Sequence, residues 1–234
     1  MSKQIKSVAM LMVGCVLGAT LATQIAMGPN DNKNTPPAGA AGAAPQGGPD
    51  FSKMTCPMTG EPMMDVMGQM MKDGAPGEMH KHLAYFAGNW DCTVAHYMPG
   101  IKEPMMGKAT FSAKAAHGGR FIIGEFTGDF MGETFTGTSI MGYDNVEQRI
   151  QNIWMDSWTS GIYMSTGEMA KDGKSMTSAG IMRMNSPKAG KISMIQREVV
   201  KVISPDKYVM EMYHSGGPSG ESVKGMEITY SRRK

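Results

Sequence analysis

Aromatic residues are only 7% of this 234-residue chain, cysteines number three, and no long block of like charge occurs. Each scarcity excludes something. With 23 Lys+Arg against 21 Asp+Glu there is no basic stripe to track a phosphate backbone, so a nucleic-acid partner is not expected. Cys15, Cys56 and Cys92 are too few and too scattered for a disulfide framework. A Cys56–Cys92 bridge is open to the chain in an oxidising compartment, and two unpaired thiols are the plainer expectation. Catalytic motifs are missing too: no G-x-S-x-G, H-E-x-x-H, Walker loop or dinucleotide fingerprint occurs. The histidines (His80, His82, His96, His117, His214) are dispersed, and spacing alone cannot join Asp156, Glu211 and Glu227 into an acid–base pair. No enzyme class is indicated, and any cofactor stays unknown.

Methionine and glycine are abundant instead, at 27 and 30 residues. Lys3 and Lys6 precede a charge-free apolar run over residues 8–27, long enough to cross the hydrocarbon core as a helix. Residues 1–28 therefore read as an export signal, with the lysines cytoplasmic and everything after them outside. Retention as a membrane anchor, lipidation at Cys15 and ordinary cleavage are the three outcomes. The chain is expected to be exported, tethered to the cytoplasmic membrane, with its domain on the outer, periplasmic side. Residues 29–53, rich in Pro, Gly and Ala, have little to bury and predict a disordered spacer with a root-mean-square span of roughly 30 Å.

Residues 54–79 form a Met-rich segment. Met63, Met67 and Met70 recur at helical spacing and predict a short helix over residues 62–72. A second short helix is expected over residues 80–86. Met54, Cys56, Met58, Met63, Met67 and Met70 are soft ligands, and thioether with thiolate suits Cu(I). Against that, Met is frequent throughout the chain and also suits a loosely specified apolar helix.

From Trp90 onward the texture is uniform. Turn signals such as Pro99-Gly100, Asp144-Asn145, Asp172-Gly173 and Ser204-Pro205-Asp206 recur between segments of about 8–12 residues. That spacing predicts about ten strands. Alternation puts Trp90, Cys92, Val94 and His96 on one face, likewise Ile150, Trp154 and Trp158, then Tyr208, Met210 and Met212, then Met226, Ile228, Tyr230 and Arg232. Ile162 and Met164 are assigned to the inner face on the same ground. A meander of this length escapes exposed edges by closing on itself. The expectation is all-β: one antiparallel up-and-down barrel over residues 80–233, preceded by short helices, a disordered linker and an N-terminal membrane helix. Such a barrel can hold one small ligand.

Gly88-Asn89-Trp90 after a short helix resembles the Gly-x-Trp start of lipocalin-like (calycin) barrels. There the Trp plugs one end beneath an Arg of the last strand, and Arg232 has the parity for that role where Arg233 does not. Gly118-Gly119-Arg120-Phe121, Gly142-Tyr143-Asp144-Asn145, Trp154-Met155-Asp156-Ser157, Glu211-Met212-Tyr213 and Met226-Glu227-Ile228-Thr229-Tyr230 resemble, in order, a bacterial family of uncharacterised proteins classed as a domain of unknown function. The resemblance spans about residues 78–233 and implies a calycin-like barrel without an activity. Candidate ligand-binding residues are Trp90, His96, Arg120, Glu125, Trp154, Met164, Met194, Met210 and Met212, with Trp90 and Arg232 also structural. The functional expectation is a barrel for a small apolar or amphipathic ligand. Soft-metal handling by the Met-rich segment and a structural or protein-interaction module of the cell envelope are the alternatives.

Overall fold

The computed structural model describes residues 50–130, 132–215 and 220–234. The apolar run of residues 8–27, Cys15 and nearly all of the spacer lie outside the described residues. No helix among the described residues is long and apolar enough to cross a membrane.

Two compact units divide the chain between residues 72 and 73. Of the first, residues 50–72 are described. A single 3₁₀ turn, Phe51–Lys53, leads into a tight loop in which Thr55 bridges Pro62. Helix α1 (Met63–Asp73) then follows, with Met63, Met64, Met67, Met70 and Met71 along it and no buried residue. The expected helix over residues 62–72 is therefore present.

The second unit is the barrel. Ten strands run β1 (Gly88–His96), β2 (Met105–Ala116), β3 (Phe121–Phe130), β4 (Glu133–Asp144), β5 (Arg149–Asp156), β6 (Tyr163–Met169), β7 (Ser175–Ser186), β8 (Gly190–Ser204), β9 (Lys207–Ser215) and β10 (Val223–Arg232). Each pairs antiparallel with its neighbour in sequence, and β1 pairs with β10 to close the ring. Closure leaves no strand edge without a partner, which is what a long apolar-faced meander requires. The inner face follows the predicted parity in β1, β5, β9 and β10. Trp90, Ile150, Tyr208 and Tyr230 are all at most 5% exposed.

Rings fill the space that inner-face glycines leave. Phe111 lies over Gly124 and Trp154 over Gly137, so that a Cβ at either glycine would sit 2.2–2.3 Å from ring carbons. Small and large residues thus alternate across paired strands, letting the wall curve while the interior packs.

One end of the barrel is capped by residues 73–87, which contain α2 (Glu78–Leu83) and a 3₁₀ turn (Ala84–Phe86). Every hairpin turn at that end is bonded to the cap. Arg120 donates to Gly74 O at 2.7 Å, and Asn145 Nδ2 donates to Asp73 O at 2.6 Å and Ala75 O at 2.9 Å. The His82 ring lies 3.2 Å from Lys171 O, and the Tyr85 hydroxyl donates to Ser204 O at 2.7 Å. Beneath the cap Leu83 and Phe86 are buried, and Trp90 is wholly so, its Nε1–H donating to Phe86 O at 3.0 Å. The Arg232 guanidinium stacks 4.0 Å from the Trp90 ring centre and donates to Ala87 O and Tyr85 O. Arg233 instead pairs with Asp91 at the surface.

In β6 the assignment is reversed. Ile162 and Met164 are each 63% exposed, and the inner positions are Tyr163, Ser165, Gly167 and Met169. Two things misled the alternation there. The interior at β6 is polar, and Met164 belongs to an outward aliphatic row through Ile153, Ile140 and Ile123.

Candidate functional site

The barrel interior differs between its two ends. Near the cap, inward residues such as Cys92, Ile122 and Ile150 are sealed from water. Farther along the same face Phe135, Trp154, Met210 and Met226 are only partly buried. At the opposite rim the inward His96, Met105, Gly107 and Phe130 together with the outward Met106, Lys108 and Asp129 line a recess of about 290 Å³.

The expected site residues divide accordingly. Trp154, Met194, Met210, Met212 and His96 have inward parity and line the wall. Trp90 belongs to the seal. Three candidates are not brought inside. Arg120 sits in the β2–β3 turn, committed to Gly74 O and to His117 O at 2.9 Å. Glu125 faces outward, accepting from the Thr138 hydroxyl at 2.9 Å. Met164 faces solvent, as described above. Glu211 and Glu227 are cross-strand partners on the outer face, joined through Lys224. The Asp156 carboxylate accepts from Trp154 Nε1 at 2.9 Å and from the backbone of Trp158 and Thr159.

A buried polar network that the alternation did not single out lies on the inner face of β5–β9. Its centre is Glu198, 9% exposed. Glu198 Oε2 accepts from Ser178 at 3.0 Å and Ser165 at 3.4 Å, while Oε1 accepts from Gln196 Nε2 at 2.9 Å. Asn152 Nδ2 donates to both serine hydroxyls, at 3.3 and 3.2 Å. The Tyr163 hydroxyl donates to Gln196 O at 3.1 Å, and His214 Nε2 lies 3.1 Å from Gln196 Oε1. A β-bulge in β10 between Lys224 and Met226 makes room for that imidazole, whose Nδ1 would lie 2.6 Å from a Cβ at Gly225. Burial pushes the Glu198 carboxyl above its ordinary range, against the pull of its four hydrogen-bonding neighbours. Burial lowers His96 and His214, so both imidazoles are neutral at pH 7. The one readable signal was a glutamate and a glutamine on the otherwise apolar parity of β8, between Met194 and Val200.

In the first unit, Cys56 N bonds Glu61 O at 2.8 Å and Gly60 N bonds Cys56 O at 2.9 Å. The Thr59 hydroxyl, with the backbone N–H groups of Met58 and Thr59, faces the thiol and holds it below the ordinary thiol range. Of the proposed soft ligands, Met58, Met67 and Met70 are exposed and Met54 is 41% exposed. No group of three or more His, Cys, Asp or Glu able to hold a metal occurs among the described residues. Cys56 and Cys92 are both free thiols, and burial pushes Cys92 up to about 12.

A ten-stranded up-and-down barrel, begun by a helix and Gly-x-Trp and shut by an Arg of the last strand, is of the calycin-like, lipocalin type. The chain belongs to the family described as "Protein of unknown function (DUF1579)", whose model matches residues 75–232. No curated protein matches the sequence. Among solved structures, an S-type phycobiliprotein lyase, CPES, from Guillardia theta is 10% identical over 70% of this chain and 97% of its own, with a TM-score of 0.43. Rv2717c from M. tuberculosis is 14% identical over 69% of this chain and 100% of its own, with a TM-score of 0.48.

Proposed function

We propose that the barrel is a binding cup for a small amphipathic ligand, carried outside the cytoplasmic membrane on the N-terminal segment. The observation behind the cup is its asymmetry. The cap is bonded to all four hairpin turns at one end, whereas inward Trp154, Phe135, Met210 and Met226 remain partly exposed toward the other. A core built only for stability would bury those side chains, since each apolar square ångström left wet forgoes about 25 cal/mol. Methionine on the wall adapts to ligands of varied shape.

The tether rests on sequence: Lys3 and Lys6 before the apolar run, then a spacer long enough to hold a domain clear of the headgroups. Native mass spectrometry of the full chain, purified from its own cell envelope, tests the reading. A repeatable small-molecule adduct that leaves on unfolding supports it. A bare protein that also takes up no apolar dye would make the barrel a structural or protein-interaction module. Soft-metal handling by residues 54–79 is the separate reading, carried by the Cys56 thiol and its neighbouring methionines. It predicts Cu(I) binding, in competition with a chromophoric chelator, that weakens on Cys56→Ser.

A further inference from the structure

We propose that Glu198 is the charge-bearing anchor of the cup and that its ligand carries a protonated amine on an apolar body; this rests on the cup reading above. The inference comes from the direction of the protons in the network. In its charged form Glu198 can only accept, and Gln196 then turns its amide N–H toward Glu198 and its carbonyl toward His214, which carries the proton on Nε2. From the other side Asn152 donates to Ser165 and Ser178, and both serines donate onward to Glu198. Donors from three strands thus meet on one carboxylate, backed by Asn152 of β5 and His214 of β9. Those donors favour the charged form, and burial opposes it.

The countercharge is absent from the wall. On the inner parity of the ten strands the described residues include no Lys or Arg except Arg232, which is committed to Trp90 and the cap. Lys224, Lys201 and Arg197 lie on the outer face, paired with Glu211, Glu227 and Tyr213. The titratable groups facing Glu198 are Tyr163 on β6 and His214 on β9, with Tyr230 of β10 farther off. Burial keeps the proton on both tyrosines and off the imidazole, so none of the three is charged at pH 7. Toward the open end the same inner parity adds Asp156 and Glu133.

An uncompensated buried carboxylate is costly, and burial therefore makes the group keep its proton to higher pH. An ammonium entering the cup lets that proton leave and supplies the missing charge. From Glu198 a paired row of inward residues, Met212, Met226 and His96, leads to the rim recess, a thioether-lined wall for an apolar tail.

The test titrates the full chain with dodecylamine, dodecanol and dodecanoate, three probes of one tail and different heads. Dodecylamine is expected to bind on the order of tenfold tighter than dodecanol, the size of one charge-assisted hydrogen bond, and dodecanoate weakest. Glu198→Gln should bring the amine down to the alcohol and leave the alcohol unchanged. Amine affinity of the unaltered protein should also rise from pH 5 to pH 8 while alcohol affinity stays flat. That readout needs no variant, so a Glu198→Gln chain that fails to fold leaves the proposal testable. Equal binding of all three heads, or a tightest-binding acid or alcohol, overturns the anchor and leaves the cup standing. No binding of any probe overturns both.

Discussion

Replacing Arg232 with alanine removes the part of the seal whose interactions are easiest to weigh. The guanidinium lies 4.0 Å from the centre of the Trp90 ring, which is wholly buried, and a desolvated cation–π pair contributes about 2 kcal/mol. Nη1 and Nη2 donate to Ala87 O at 2.9 Å and Tyr85 O at 2.8 Å, and a hydrogen bond from a charged donor contributes about 1.5–3 kcal/mol. Both bonds are only part-buried, so water replaces part of that loss. The ion pair to Asp206, 60% exposed, adds little. Together the loss is about 4 kcal/mol, which for a domain of this size lowers the melting temperature by about 10 °C.

Arg232→Lys keeps a cation near the indole but cannot bridge two carbonyls with one ammonium, and should lose about half as much. Arg233→Ala, which releases only a surface pair with Asp91, should leave the melting temperature unchanged. Thermal melts followed by far-ultraviolet circular dichroism and tryptophan fluorescence check all three. An Arg233 effect equal to the Arg232 effect would refute the reasoning, as would an Arg232→Ala loss below about 1 kcal/mol.

Three other outcomes follow from the same structure. Gly167→Ala should destabilise severely or abolish soluble expression, because its Cβ would lie 1.9 Å from the backbone oxygen of Thr177, whereas Gly161→Ala, with open space around it, should be tolerated. Glu198, its carboxyl raised by burial, keeps its proton to a higher pH in the native chain than in the unfolded chain. Its contribution to stability is therefore complete below the ordinary carboxyl range and lost as pH rises through the shifted value. Glu198→Gln should flatten that decline in denaturant midpoint against pH. In a Cys15→Ser background iodoacetamide should modify Cys56 well before Cys92, because donors hold the first thiol down and burial pushes the second up to about 12; peptide mass mapping reads the order, and Cys92 reacting first would reverse the assignment.

Much of the barrel is legible in the chain because turns and parity are local. Asp172-Gly173 shows why. Gly173 has φ +68, the Asp172 side chain accepts from Lys174 N at 3.0 Å, and those two residue types signal that turn without any tertiary contact. The Trp90–Arg232 pair was legible from the resemblance to calycin barrels, with parity choosing Arg232 over Arg233. The resembling motifs were readable too, but their role was not. Arg120, a candidate site residue in sequence, and Asn145, read there as part of a turn, serve as fasteners of the cap in the fold.

The sequence by itself determined strand number, order and most inward faces, because an alternating apolar pattern has one way to bury itself in a closed meander. Only the tertiary structure decided which polar residues meet. Asn152, Ser165, Ser178, Gln196, Glu198 and His214 come from five strands, and none carries a signal that it will share a network with the others. In β6 the local rule pointed the wrong way, because hydrogen-bond partners across the barrel, rather than apolarity, set what faces inward there. A buried carboxylate is tolerated once its donors surround it, and those donors become neighbours only when the sheet closes.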